Sequence, residues 1–386
     1  MRKICVVSSG RADYSLLCWP MREIQIAPDM ELQTIITGMH LSPEFGMTIK
    51  NFKRDGFPVS SCVEMLLSGD SSVAVTKSLG LGVIGFADAL LQLEPDLLML
   101  LGDRFEILAA AQAALIARIP VAHLYGGDTT EGAFDESIRH CITKMAHLHF
   151  VSNEEAAKRV QQMGENPAHV YNIGATCLDA IRRTTYLDRN DFFHAIKFKP
   201  LVKNLLITFH PVTLGKESSC EQFRQFLLAM HTLSDEVGLL FTRPNADCEG
   251  RKLNIMLDEF LDTHSNAKAY DALGNLYLSA LKHVDAVAGN SSSGLYEAPS
   301  FGIATVNVGD RQKGRVQADS ILNCAPYADV ILETVIEALD MKVGEVVNPY
   351  GDGNSSIRII EVIRSIGDSS ALLQKHFYMT GKSSVV

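Results

Sequence analysis

The sequence predicts an α/β protein made of two Rossmann-like, doubly wound domains. Three observations carry this. Short apolar segments alternate with longer stretches of helical period; the alternation lapses near residue 186 and restarts after Asn190; and glycine-containing polar clusters follow the apolar segments. Segments apolar at nearly every position are strands buried on both faces, which means parallel sheets covered by helices.

In chain order, residues 3–7, 32–36, 97–101, 121–124 and 148–151 read as strands of the first domain. Residues 11–21 and 105–117 carry helical periodicity and read as helices. Residues 186–203 have no clean period and contain Lys197, Lys199, Pro200 and Lys203, so the linker is placed there. Residues 204–208, 239–242, 286–288 and 305–308 then read as strands, with helices at 220–233 and 253–263. The expected domains span 1–185 and 204–365. Ligands bind outside the carboxyl ends of such strands, so a cleft between the domains is the expected site.

Composition fits this reading. The 386 residues are 47 % hydrophobic and 21 % charged, too long for one ordinary domain. A formal net charge of −10 argues against nucleic acid or an anionic membrane as partner. The eight cysteines form no C-x-x-C pair and no zinc-spaced cluster, so no metal is expected and the thiols read as free and cytoplasmic. The chain begins directly in a strand, without a signal-peptide pattern, and no apolar run reaches the ~18 residues of a membrane span. The expectation is a soluble protein.

Five polar clusters follow strands. Ser8-Ser-Gly-Arg-Ala-Asp-Tyr-Ser15 joins a strand to a helix start, an arrangement that attracts anions; Arg11 and Ser15 add a cation and a hydroxyl, although a plain helix cap looks the same. In Leu101-Gly-Asp-Arg-Phe-Glu106, Asp103 and Arg104 emerge from a strand of unbroken aliphatics, where the carboxylate either caps a helix or acts on substrate. Between His123 and His140, Asp128, Glu131, Asp135 and Glu136 crowd together beside Arg139, more acids than capping needs. His210 ends a buried strand before Pro211, a position that is usually structural. In Gly289-Asn-Ser-Ser-Ser-Gly-Leu-Tyr-Glu297, serines at a helix start suit the oxygens of a diphosphate. Glu297, one turn on, would repel phosphate but suits the hydroxyls of a ribose. This stretch reads as half a nucleotide site.

Seven motifs in order, "SSGRADYSLL", "LGDRFE", "GGDTTEGAFDESIRHCITKMAHLHF", "TFHPVT", "RPNAD", "GNSSSGLYEAPSFG" and "VNVGDRQKGR", spread over residues 8–315. Together they resemble the hydrolysing UDP-N-acetylglucosamine 2-epimerases of sialic acid synthesis. The resemblance implies the glycosyltransferase-B arrangement of two domains, with residues 366–386 helical and packed back on the first. It implies dimers or tetramers that convert UDP-N-acetylglucosamine and water to UDP and N-acetylmannosamine, with no cofactor. No G-x-G-x-x-G follows the first strand, in keeping with a reaction that needs no nicotinamide. Arg11, Ser15, Arg104, His210, Asn245, Ser291, Ser292, Glu297 and Arg311 match UDP-contacting positions of that family. Asp103, Asp135 and Glu136 match its acidic catalytic positions, and Asp128 and His210 join them as candidates.

The chain departs from the family in one place. Several relatives carry a glutamate two residues after the strand-end histidine, where this chain has Tyr125. Either the phenol takes part or Asp128 supplies the carboxylate; the already ionised Asp128 is the better choice. Tyr125 would otherwise pack beside a different sugar, such as a di-N-acetylated deoxyhexose (the UDP-N,N'-diacetylbacillosamine of the legionaminic acid pathway). A glycosyltransferase of the same fold and a non-catalytic nucleotide-sugar sensor remain open alternatives.

Overall fold

The computed structural model describes residues 1–69, 71–129, 134–211, 218–233, 235–244 and 248–379. The chain forms two compact units, Met1–Ala180 with Tyr350–Val386, and Ile181–Pro349. The first contains β1 (Arg2–Ser8), α1 (Arg11–Ile26), β2 (Met30–Thr37), α2 (Lys50–Arg54), β3 (Ser61–Val63), α3 (Ser72–Leu93), β4 (Leu97–Leu101), α4 (Phe105–Ala117), β5 (Val121–Leu124), α5 (Asp135–Met145), β6 (Leu148–Val151), α6 (Glu154–Gln162) and β7 (Val170–Asn172). Then α7 (Asp179–Arg183) crosses into the second unit. That unit holds α8 (Arg189–Ala195), β8 (Lys203–Thr208), α9 (Ser219–Thr232), β9 (Val237–Thr242), α10 (Cys248–Leu261), β10 (Ala267–Tyr270), α11 (Tyr277–His283), β11 (Ala286–Gly289), α12 (Ser293–Tyr296), β12 (Ala304–Val308), β13 (Ile321–Cys324) and α13 (Ala328–Asp340). Finally α14 (Ser355–Ser365) returns to the first unit.

The strands of the first unit are ordered β3-β2-β1-β4-β5-β6-β7 and those of the second β10-β9-β8-β11-β12-β13. Every pairing is parallel. β4, β5 and β6 are buried at every position, as strands covered on both faces must be. In each sheet the winding reverses beside the first strand, between β1 and β4 and between β8 and β11. Loops leaving those two strands diverge and open a crevice at their carboxyl ends.

The structure departs from the sequence reading at the boundaries. Within the expected linker, α8 buries Phe192 and Phe193 in the core of the second unit, so that unit starts at Ile181. The return to the first unit begins at Tyr350 and not at residue 366, because α14 is already part of it. Ile359, Ile360 and Ile363 pack in the core that holds Leu17, Met21 and Ile24 of α1. Asp179 fixes the start of α14, its carboxylate accepting the amides of Ser355 (2.8 Å) and Ser356 (2.7 Å). Among the described residues after 366 the helical segment is a short 3-10 helix, Ser369–Leu373, and there is no α-helix; residues 380–386 of the expected helical segment lie outside the described residues. The sequence also shows no long apolar run, yet α3, at 22 residues, is long and apolar enough to cross a membrane by length and composition. Polar and glycine positions such as Ser78, Gly80 and Gly82 interrupt the run without lowering its mean hydropathy far.

Candidate active site

In the first unit, the turn after β1 differs from the expected anion site. Asp13, buried in the first turn of α1, accepts from the amide of Ser9 (2.9 Å) and from its hydroxyl (2.5 Å). The helix start therefore holds a carboxylate of its own, which weakens its attraction for a phosphate. Arg11 stands exposed beside it, and the exposed Ser15 donates its hydroxyl to the carbonyl of Ala12 (2.7 Å).

The turn after β4 is pinned from below. His123, wholly buried, holds the Gly102 carbonyl through Nε2 (2.8 Å) and meets the Thr143 hydroxyl through Nδ1 (3.1 Å). Burial pulls its pKa down to about 3, so the ring is neutral, and the carbonyl requires the proton on Nε2. This fixes Gly102, at φ +77°, and so presents Asp103 and Arg104. Asp103 forms an ion pair with the buried Arg139 of α5. Arg139 also donates to the backbone carbonyl of Asp128 (2.7 Å) and lies 3.8 Å from Glu136, which in turn sits 3.3 Å from His140. Arg104 grips the fully buried Glu106 through Nε (3.2 Å) and Nη2 (3.0 Å). Burial pulls the Arg104 pKa down, but Glu106, Asp13 and Asp135 more than offset this and raise it. Burial raises Asp135 in turn, against the pull of Arg104. Asp103, Asp135 and Glu136 thus share one neighbourhood with two guanidinium groups.

Asp128 accepts from the Ser152 hydroxyl at 2.7 Å. Tyr125 has φ +62°, strained for a residue with a side chain, and its hydroxyl is tethered to Thr176 at both the amide (2.8 Å) and Oγ1 (3.0 Å). That points to a structural phenol. Tyr125→Phe should lower stability by about 1 kcal/mol in chemical denaturation while leaving turnover near parental; a large loss of turnover at unchanged stability would make the phenol catalytic. Glu131 lies outside the described residues.

The second unit is organised by Asn290, a buried residue the sequence reading passed over. Its side chain accepts from the amide of His210 (2.7 Å) and donates to the carbonyl of the same residue (2.8 Å). Its own carbonyl accepts from Arg311 (2.9 Å) and Gln312 (2.8 Å). One residue therefore ties together the loops after β8, β11 and β12. The preceding Gly289 is required: at φ +131°, a side-chain carbon there would stand 2.0 Å from the Thr208 carbonyl. A polar residue between a strand-ending glycine and a serine run was the signal that could have flagged it.

The three serines divide their work. Ser291 and Ser292 lead into α12, partly accessible. This helix is a single turn continued by a 3-10 segment, Ala298–Phe301, so its dipole is small and the attraction for anions rests more on hydroxyls and on Arg311 than expected. Ser293 instead bonds the Tyr277 hydroxyl (2.5 Å) and the Glu297 carboxylate. Burial raises the Glu297 pKa, while Ser293 draws it back. Burial likewise pulls Arg311 down, helped by Arg315. Asn245 lies outside the described residues. Among the described residues no three His, Cys, Asp or Glu side chains converge as a metal site.

Comparison with known proteins identifies the family behind this geometry. The family described as UDP-N-acetylglucosamine 2-epimerase matches residues 22–364. The chain is 42 % identical over 324 residues to the GDP/UDP-N,N'-diacetylbacillosamine 2-epimerase (hydrolyzing) of Campylobacter jejuni, covering 83 % of this chain and 84 % of the relative. It is 34 % identical to the UDP-N,N'-diacetylbacillosamine 2-epimerase (hydrolyzing) of Legionella pneumophila, over 97 % of this chain and 99 % of that one. Among solved structures, UDP-GlcNAc 2-epimerase from Neisseria meningitidis bound to UDP-GlcNAc shares the fold, with a TM-score of 0.79 at 17 % identity, covering 94 % of this chain and all of that one. The chain is an epimerase and belongs to the UDP-N-acetylglucosamine 2-epimerase family, in its hydrolysing branch.

Proposed function

We propose that this enzyme converts a UDP-linked 2-acetamido sugar and water into UDP and the free 2-epimer. The observation that supports it best is the gathering of Asp103, Asp135 and Glu136 around Arg139 and Arg104 at the switch point of the first unit. A base takes the proton from C2 as the C1–O bond to UDP breaks, leaving a 2-acetamidoglucal. Water then adds, its hydroxyl to C1 and a proton to the opposite face of C2. Asp135 and Asp103 are the first candidates for these transfers, with Glu136, Asp128 and His210 near them in rank. Arg104, Arg11 and Arg311 would stabilise the leaving diphosphate, together with Ser291 and Ser292. Ser15, His210 and Asn245 complete the proposed UDP contacts. The doubly wound fold alone would equally serve a glycosyltransferase; the family decides against that reading.

The two relatives named above favour N,N'-diacetylbacillosamine as the sugar, and the motif resemblance supports N-acetylglucosamine as the second reading. Purified enzyme given each UDP-sugar alone in deuterated water should release UDP and a free sugar carrying one deuterium at C2. UDP release only on adding an acceptor, or a product without deuterium, would overturn the elimination mechanism; the ratio of kcat/KM between the two sugars assigns the substrate. We also assign the enzyme to the cytoplasm, consistent with its seven described free cysteines, and to a homo-oligomeric state.

The proposed nucleotide end makes its own prediction. Glu297→Ala should weaken UDP binding by roughly 1–3 kcal/mol, the usual cost of a lost buried polar contact. Arg311→Ala should act in the same direction. Only the ionised Glu297 accepts two ribose hydroxyls, so UDP affinity should fall as pH drops through its raised pKa, from above the ordinary glutamate value downward. Parental UDP affinity in both variants by calorimetry would remove this stretch from the site.

A further inference from the structure

α12 is a single turn, too short to hold its own shape, so its neighbours must fix it. From β12, Thr305 donates its hydroxyl to the Gly294 carbonyl (3.1 Å). Gly294 lies so close that a side-chain carbon there would stand 2.7 Å from the Thr305 methyl. From α11, the hydroxyl of Tyr277 meets Oγ of Ser293 at 2.5 Å. Tyr277 opens α11, whose Ser279, Ala280 and Leu281 are buried, and its ring packs against the core that holds Leu206, Leu240 and Val287. The hydroxyl therefore projects from a fixed base. Tyr277 belongs to none of the seven motifs.

The proton count gives this contact its direction. Ser293 and Glu297 lie one turn apart, the Glu297 amide donating to the Ser293 carbonyl at 2.9 Å, so their side chains share a face and meet. An ionised carboxylate only accepts, so the Ser293 hydroxyl gives its one proton to Glu297. Its oxygen is left as an acceptor, and the proton in the 2.5 Å contact must come from Tyr277. Burial and the Glu297 charge push the phenol pKa up, against a smaller pull from Ser293, so this donor persists at neutral pH. Two aligned hydroxyls thus end on the carboxylate. They oppose the burial that would neutralise Glu297, and by occupying one of its roughly four acceptor positions they fix how the others are presented. A ribose brings two hydroxyl donors, which a neutral or swivelled carboxyl would meet with a donor of its own or at the wrong angle. Given the assignment of Glu297 to the ribose above, we propose that Tyr277 is a positioning residue for the nucleotide: acting through Ser293, it holds Glu297 as the acceptor that tells ribose from deoxyribose.

Calorimetry with UDP and with 2′-deoxy-UDP tests this. The parent should prefer UDP. Tyr277→Phe keeps the packed ring and removes only the hydroxyl; it should lose about tenfold in UDP affinity and less in 2′-deoxy-UDP affinity, so the preference shrinks. Ser293→Ala, which cuts the same link from the α12 side, should shrink it likewise. On a Glu297→Ala background Tyr277→Phe should cost nothing further, because the group it acts through is gone. Equal losses for the two nucleotides would make Tyr277 a support of the fold alone and overturn its positioning role. Parental affinities in Tyr277→Phe, beside a Glu297→Ala variant that has lost the preference, would overturn it too. A preference unchanged in Glu297→Ala would instead remove the carboxylate from the ribose, and with it the assignment on which the role of Tyr277 rests.

Discussion

Replacing Asp135 by asparagine should lower turnover by ~10²–10⁴ and leave UDP affinity near parental. The change is nearly isosteric and removes only the ionisable group at the first residue of α5. Burial raises the Asp135 pKa and Arg104 lowers it, so the proton is easier to hold than on an ordinary aspartate and easier to accept during catalysis. The acid limb of the kcat profile should lie above the ordinary aspartate value and vanish in Asp135→Asn. Arg104→Gln should move that limb further up. Stability gives an independent sign. A carboxyl whose folded pKa is raised stabilises the fold below its unfolded pKa, and that contribution is lost as pH rises through the folded value. At neutral pH the Asp135 anion therefore costs stability, and Asp135→Asn should be at least as stable as the parent while nearly inactive. A variant that loses stability and UDP binding in step with activity would make Asp135 a structural helix cap.

The central strands were legible in the sequence and the outer ones were not, for one reason. β3, β7, β10 and β13 went unread, and these are the four edges of the two sheets. An edge strand is covered on fewer sides, so β10 is only partly buried throughout and β7 has no buried position. Their sequences, Ala-Lys-Ala-Tyr and Val-Tyr-Asn, lack the apolar run that marks β4. α3 escaped notice because small residues interrupt its apolar stretches. The candidate site is legible in the sequence where side chains directly follow strand ends, as at Asp103 after β4 and His210 after β8. It was obscure where one buried polar group organises several loops, because a lone Asn290 or Asp13 looks the same in sequence as any capping residue. The relation between Asp103 and Arg139, thirty-six positions apart, exists only through the turn that His123 pins.

That pair carries the second large effect. Arg139→Met should destabilise the protein by about 3 kcal/mol, toward the lower end of the cost of breaking a buried ion pair. The lower end applies because the side chains of Asp103 and Glu136 keep 22 % and 25 % of their surface exposed, against 9 % for Arg139. Without the guanidinium, two carboxylates face each other uncompensated, and the Asp128 carbonyl loses its donor. Arg139→Lys should recover part of the loss, since an ammonium keeps the charge but cannot reach the three oxygens as a planar fork does. Asp103→Asn added to Arg139→Met should cost less than the sum of the two single changes, because the second removes a charge the first left unpaired. Denaturant midpoints of the four proteins measure that coupling. Strict additivity, or an Arg139→Met variant within 1 kcal/mol of the parent, would mean that Arg139 packs beside the acids without holding them.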